Sequence, residues 1–144
     1  PVVPTHIFLQ AGVGGLAGSC AALARKTWGA APVIVIVEPD LAPALIASVQ
    51  AGKFVTAKGP VSNMGRLDCK EPSLIALKGL ARDADVFVTL TEDEGTAGAD
   101  LMQAHGFPTS TSGAAGLAGL MVTQTALGIA ADARVLCILS EGPA

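Results

Sequence analysis

A glycine-rich turn is the part of the sequence best suited to chemistry. The apolar run at residues 6–10 is followed by Gly12, Gly14 and Ala17, and apolar residues recur at helical spacing from Leu16 onward. Glycines let the backbone turn sharply, and the first amides of a helix have no partner within it. An anion placed before the helix is therefore favoured by those amides and by the helix dipole. The segment predicts a phosphate site, in preference to a carboxylate site or a bare structural turn.

The same turn also fits a second class of ligand. Gly-x-Gly-x-x-Ala followed by an acid, Glu38, at the end of the next predicted strand satisfies the dinucleotide fingerprint. An NAD-binding Rossmann-type domain of an oxidoreductase, with Glu38 on the ribose, is therefore the alternative. A nucleoside triphosphate loop is excluded, because no Gly-Lys-Ser/Thr follows the glycines.

Strands and helices alternate along the chain and would position this turn at the end of the first strand. The run at residues 33–37 is continuous and β-branched, which is typical of a strand buried on both faces. The alternation predicts a single α/β domain over residues 1–144, a three-layer αβα fold with a mostly parallel sheet. We expect strands at residues 6–10, 33–37, 54–57, 85–91 and 134–139, and helices at 16–28, 41–51 (with Asp40 as N-cap), 73–82, 92–105 and 113–127.

Composition limits the classes of partner. Hydrophobic residues make up 51% of the 144 and charged residues 15%, which excludes a disordered polar chain. A net charge of −3 offers nucleic acid no basic surface. The stretches without charged residues are broken by Gly, Pro and polar residues, so we expect no membrane span. Three widely spaced cysteines and two histidines predict neither a disulfide framework nor a metal site, and indicate a reducing, cytoplasmic compartment.

The glycine-rich segment resembles the phosphate-binding loop of pyridoxal-phosphate enzymes of the tryptophan-synthase-β type (fold type II). It is most similar to the diaminopropionate ammonia-lyase and threonine dehydratase-like members. Further segments keep the order of that family. The matching stretches are residues 5–18, Val37-Glu38-Pro39, residues 64–72, residues 112–117 and Leu139-Ser140-Glu141-Gly142.

The resemblance implies a role for particular positions. A backbone cradle would hold the cofactor phosphate, Ser140 would face the pyridine nitrogen, and Gly65 would lie beside the cofactor or substrate, unless it is only a loop glycine with positive φ. A neutral hydroxyl at Ser140 would not keep that nitrogen protonated as a carboxylate would, so the ring would be a milder electron sink. The cradle residues are Gly12, Val13, Gly14, Gly15 and Leu16.

The resemblance also implies an activity, and it implies that one catalytic residue lies outside this chain. The whole enzyme would be a pyridoxal-phosphate-dependent ammonia-lyase, a homodimer that eliminates the β-substituent of a small amino acid such as 2,3-diaminopropionate, serine or threonine. The family's Schiff-base lysine follows an aromatic residue in an N-terminal segment, and none of the five lysines here has that context. We therefore expect a C-terminal fragment without its catalytic lysine, inactive alone. A non-catalytic binding module that kept the phosphate loop is the remaining alternative.

Overall fold

The computed structural model describes residues 2–143 as a parallel sheet covered by helices on both faces. Its four strands lie in the order β3-β2-β1-β4, and every neighbouring pair is parallel. The elements are β1 (His6–Gln10), α1 (Gly15–Trp28), β2 (Val33–Pro39), α2 (Ala44–Ala51), α3 (Leu74–Asp83), β3 (Val86–Leu90), α4 (Glu92–Ala104), α5 (Thr111–Thr123) and β4 (Val135–Cys137). The predicted three-layer fold is confirmed.

The two faces of the sheet carry separate halves of the core. Because side chains alternate along a strand, Ile7 and Leu9 face α1, α2 and α3, whereas Phe8 faces α5. β2 is buried on both faces, as its β-branched sequence predicts. No helix within residues 2–143 combines the length and apolar character needed to cross a membrane.

Helix α5 lies unusually close to the sheet because it presents glycines to it. A Cβ added at Gly119 would lie 2.6 Å from Val37 Cγ2, and one at Gly116 would lie 3.0 Å from Phe8 O. Any larger side chain would have to push the helix outward. This close approach brings the N-terminus of α5 next to the carboxyl ends of β1 and β4.

Three sequence expectations were wrong in detail. No strand forms at residues 54–57, because the amide of Val55 donates to Ser48 Oγ (2.9 Å) instead of to a neighbouring strand. Asp40 does not cap α2, which begins only at Ala44 after Pro43 and has no side-chain cap at that position. The last strand is shorter than residues 134–139 and pairs with β1 over three residues only.

Helix α5 also begins earlier than expected. It starts at Thr111, because Ser110 Oγ accepts a hydrogen bond from the amide of Gly113 (3.0 Å) and so acts as the N-cap.

Candidate functional site

The glycine-rich turn lies at the carboxyl end of β1, a strand with neighbours on both sides. Gly14 precedes α1 with a φ of +100°, a left-handed conformation that favours glycine. A Cβ there would lie 2.9 Å from Ala76 Cβ, and one at Gly12 would lie 2.9 Å from Arg66 O. By contrast, a Cβ at Gly15 would meet nothing within 4 Å. Glycine is therefore required at position 14 by conformation and packing and at position 12 by packing, but not at position 15.

The amides of this turn are open. Within residues 2–143, the backbone N–H groups of residues 12–16 donate no hydrogen bond to another part of the chain, and the first bond of α1 runs from Gly18 N to Gly14 O (2.8 Å). The turn is held in place through a carbonyl instead, since Val13 O accepts from Ser73 N (2.9 Å). Several unpaired amides at one helix N-terminus form a ready site for an anion.

The turn and the end of the last strand line one cavity of about 300 Å³. Ser140, which lies 124 residues beyond Leu16 in the sequence, therefore shares a cavity with the open amides. The residues that line it are Gln10, Ala11, Gly12, Val13, Gly14, Gly15, Leu16, Arg66, Leu67, Cys69, Ser140 and Glu141. The structure thus brings together the predicted cradle residues and Ser140.

Gly65 lies in an adjoining cleft of about 830 Å³, and Arg66 and Glu141 line both spaces. Its φ is not positive and a Cβ there would meet nothing within 4 Å, so the explanation of Gly65 as a strained loop glycine is wrong.

The segment that carries Gly65 and Arg66 is anchored from both sides. Glu92, in the first turn of α4, accepts from Ser62 Oγ (2.6 Å), and the amide of Arg66 donates to Ser112 Oγ (3.1 Å). These bonds fix a stretch without helix or strand at the mouth of the cavity.

Two polar residues of the site were not found from the sequence. Gln10 is 2% exposed and donates from Nε2 to Ser140 Oγ (2.9 Å). Glu141 accepts from the hydroxyl of Ser110 and lies 3.6 Å from Arg66 Nε. The available signal for Gln10 was a polar side chain at the end of an apolar run.

The carboxyl group of Glu38 is hydrogen-bonded to the backbone of α2. It is 1% exposed, and its two carboxylate oxygens accept from the amides of Leu45 (2.7 Å) and Ile46 (2.9 Å) at the start of α2. Burial raises the pKa of Glu38 to about 7, although both hydrogen bonds act to lower it. The NAD alternative therefore lacks its ribose-binding carboxylate.

The cysteines differ in their relation to the cavity. Cys69 lines it, whereas Cys20 and Cys137 pack against the core. Burial raises the pKa of Cys137 to about 11, which keeps this thiol protonated and unreactive. No group of three or more metal-ligating side chains occurs in the described part of the chain.

The fold is an α/β domain in which residues with unpaired amides, at the start of α1, line a cavity. The chain belongs to the family described as pyridoxal-phosphate dependent enzyme, whose sequence profile matches residues 1–141. Pyridoxal phosphate is the cofactor of this family. The resemblance noted in the sequence is thereby confirmed.

Comparisons with individual proteins agree. Diaminopropionate ammonia-lyase of Escherichia coli K12 is 30% identical to the chain, over 98% of the chain and 39% of the relative. A crystal structure of the Escherichia coli enzyme, in complex with an aminoacrylate–pyridoxal phosphate azomethine reaction intermediate, matches with a TM-score of 0.84 at 30% identity and the same coverage.

A more distant structure shares the fold. The processed form of threonine deaminase isoform 2 from Solanum lycopersicum has a TM-score of 0.91 at 19% identity and covers 100% of this chain and 42% of that one. The chain thus spans about two fifths of the length of the curated relatives it matches.

Proposed function

We propose that this chain supplies the phosphate and ring-nitrogen sites of a pyridoxal-phosphate-dependent ammonia-lyase. The whole enzyme would eliminate the β-substituent of a small amino acid such as 2,3-diaminopropionate, serine or threonine. The observation that carries the proposal is that the residues with unpaired amides at the start of α1 line the same cavity as Ser140. The 30% identity to diaminopropionate ammonia-lyase supports the choice of reaction.

The cradle would hold the cofactor through its phosphate. The amides of Gly12, Val13, Gly14, Gly15 and Leu16 would donate to the phosphate oxygens, and the positive end of the α1 dipole would balance their charge. Because the amides belong to a rigid turn, the phosphate would anchor the ring at a fixed distance from Ser140.

Ser140 and Gly65 would contact the rest of the cofactor. Ser140 would donate its hydroxyl to the ring nitrogen, and Gly65 would leave space beside the ring or the substrate. When bound, pyridoxal phosphate supplies the electron sink that lets an amino acid lose its α-proton and β-substituent. A neutral partner at Ser140 would moderate that sink.

The lysine that would carry the cofactor is expected outside this chain. The cavity has no lysine among its described lining residues. Lys70 is held by Leu41 O (2.8 Å), Pro60 O (2.8 Å) and Asp68 Oδ1 (2.6 Å). We propose that residues 1–144 form one domain at the C-terminal side of a longer enzyme, a cytoplasmic homodimer, and that this domain alone does not catalyse.

Phosphate binding is tested by adding a negative charge to the cradle. Gly15→Asp fits the open space at that position, and Gly15→Asn is its neutral match. We expect Gly15→Asp to weaken pyridoxal phosphate binding by at least about tenfold, and Gly15→Asn by much less. Fluorescence titrations with pyridoxal phosphate and with pyridoxal, in the 144-residue chain and in the longest reading frame that contains it, measure the effect.

The outcome separates the hypotheses. Pyridoxal carries no phosphate, so its affinity should not distinguish the two variants. Thermal protection by NAD and not by pyridoxal phosphate would contradict the proposal. The activity is tested with 2,3-diaminopropionate, serine and threonine in the complete protein, by following ammonia and 2-oxo acid release.

A further inference from the structure

Gln10 links the first strand of the sheet to the segment that follows the last one. It ends β1 as a buried polar residue, and its Nε2 lies 2.8 Å from Ile138 O and 2.9 Å from Ser140 Oγ. A third acceptor, Gly113 O at the start of α5, lies 3.3 Å away. One carboxamide therefore joins β1, α5 and the strand end that carries Ser140.

The orientation of this carboxamide is determined by its neighbours. Two backbone carbonyls surround Nε2, so a turned-over amide would place its oxygen against theirs. The opposite atom, Oε1, is buried and has no hydrogen-bond partner within residues 2–143. It lies against α5, 2.9 Å from the position that a Cβ on Gly116 would occupy. An unpaired oxygen is retained there because the two shortest contacts of Nε2 are to Ile138 O and Ser140 Oγ, and the reverse orientation would lose the bond to Ile138 O.

This orientation determines the role that Ser140 can play. An amide nitrogen only donates, so Ser140 Oγ accepts from Gln10. The hydroxyl hydrogen of Ser140 is not used in that bond, and in the described part of the chain it has no other partner. Since Ser140 lines the same cavity as the open amides of the turn, the hydrogen is available to a group inside it.

We propose that Gln10 is a positioning residue for the ring nitrogen of the cofactor. By donating to one lone pair of Ser140 Oγ, it turns the hydroxyl hydrogen away from itself, so that this hydroxyl is oriented to donate toward the cavity. A donor fits a ring nitrogen that carries a lone pair and no proton, so Gln10 favours the unprotonated ring through Ser140. The inference rests on the proposed function and extends it to Gln10.

The test follows the protonation state of the ring nitrogen. The complete protein is loaded with pyridoxal phosphate labelled with ¹⁵N in the ring, and the ¹⁵N chemical shift is recorded across pH. Two variants of similar size remove the donor at Gln10. Gln10→Met has no hydrogen-bonding group there, and Gln10→Glu, once ionised, has an acceptor instead. Ser140→Ala is the reference for complete loss of the hydroxyl, and it lies at an exposed position that does not endanger folding.

The double variants distinguish positioning from general damage. We expect both Gln10 variants to move the ring-nitrogen titration to higher pH, in the same direction as Ser140→Ala, with Gln10→Glu giving the larger shift. In a Ser140→Ala background Gln10→Met should add no further shift, whereas an ionised Gln10→Glu still acts on the ring nitrogen through its charge. A merely structural role would instead change melting temperature and cofactor affinity and leave the titration unchanged.

Each result bears on one of two statements. Wild-type protein that fails to bind pyridoxal phosphate overturns the proposed function and this inference together. Wild-type protein that binds it, with a ring-nitrogen titration unmoved by whichever Gln10 variant folds, overturns only the inference. The inference alone is also overturned if Gln10→Met shifts the ring-nitrogen titration by the same amount in the Ser140→Ala background as in the wild type.

Discussion

The helices that follow two neighbouring strands of this sheet both begin with amides that need acceptors, and the chain treats the two differently. β1 and β2 run in parallel and each is followed by a turn and a helix, so both α1 and α2 begin with amides that lack partners in their own helix. At α2 the chain provides its own acceptor, because the carboxyl group of Glu38 accepts from the amides of Leu45 and Ile46. At α1 no side chain within residues 2–143 does so, and the residues that carry the unpaired amides line a cavity.

The difference separates a turn whose helix amides are already bonded within the chain from one whose amides are not. A glycine-rich turn before a helix is not sufficient, since the same architecture at α2 is closed by a buried carboxylate. What marks α1 is that conformation and packing hold the turn while its donors stay unused. A site of this kind is recognised by asking which amides the chain leaves without an acceptor.

Removing the buried carboxyl group of Glu38 should give the largest effect. Glu38→Ala leaves the amides of Leu45 and Ile46 unpaired in a buried position, and we expect the free energy of unfolding at pH 6 to fall by about 4 kcal/mol. Urea denaturation measures the change. Asp93→Ala is the control, because Asp93 is an exposed acid in the first turn of α4 and should cost less than about 1 kcal/mol. Equal losses for the two variants would contradict the comparison.

The buried carboxyl should also make stability depend on pH. The pKa of Glu38 is about 7 in the folded chain and 4.5 is its ordinary value, so the folded state binds this proton more readily than the unfolded state. Its contribution is complete below pH 4.5 and is lost as pH rises through 7, a decrease of up to about 3 kcal/mol. Unfolding at pH 5 and pH 8 measures it, and Glu38→Gln should flatten the profile. A steeper decline in that variant would be inconsistent with this assignment.

The sequence predicted the order of strands and helices better than it predicted which residues cap the helices. Alternating strands and helices were readable because each segment has its own period, and the family segments place the cradle and Ser140 in order. It could not show which of two acids, Glu38 or Asp40, would reach α2, because the answer depends on where Pro43 lets the helix begin.

Long-range polar contacts were equally unreadable. The bond between Gln10 and Ser140 joins residues 130 positions apart, and no local pattern encodes it. The absence of a strand at residues 54–57 has a similar cause, since a single hydroxyl, Ser48 Oγ, bonds the backbone of Val55.

The open turn should be more sensitive than the closed one to a side chain at its N-cap. Gly14 has a φ of +100° and faces Ala76, whereas Pro43 before α2 has an ordinary φ of −88°. We expect Gly14→Ala to lower the free energy of unfolding by about 2 kcal/mol and to weaken pyridoxal phosphate binding. Gly15→Ala, with open space around it, should be nearly neutral in stability, and similar melting temperatures for both variants would argue against strain at Gly14.

An anion built into α1 should convert the open site into a copy of the closed one. Gly15→Asp places a carboxylate at the first turn of α1, where it can interact with the unpaired amides as Glu38 does at α2. Without cofactor, we expect the variant to be more stable than Gly15→Asn by about 0.5 kcal/mol, because the charge is favourable at a helix N-terminus. With excess pyridoxal phosphate the order should reverse, because Gly15→Asn binds the ligand more tightly and is therefore stabilised more by it. Thermal unfolding of both variants with and without cofactor measures this reversal, and a Gly15→Asp variant that gains as much stability from the cofactor as Gly15→Asn would show that the phosphate is held elsewhere.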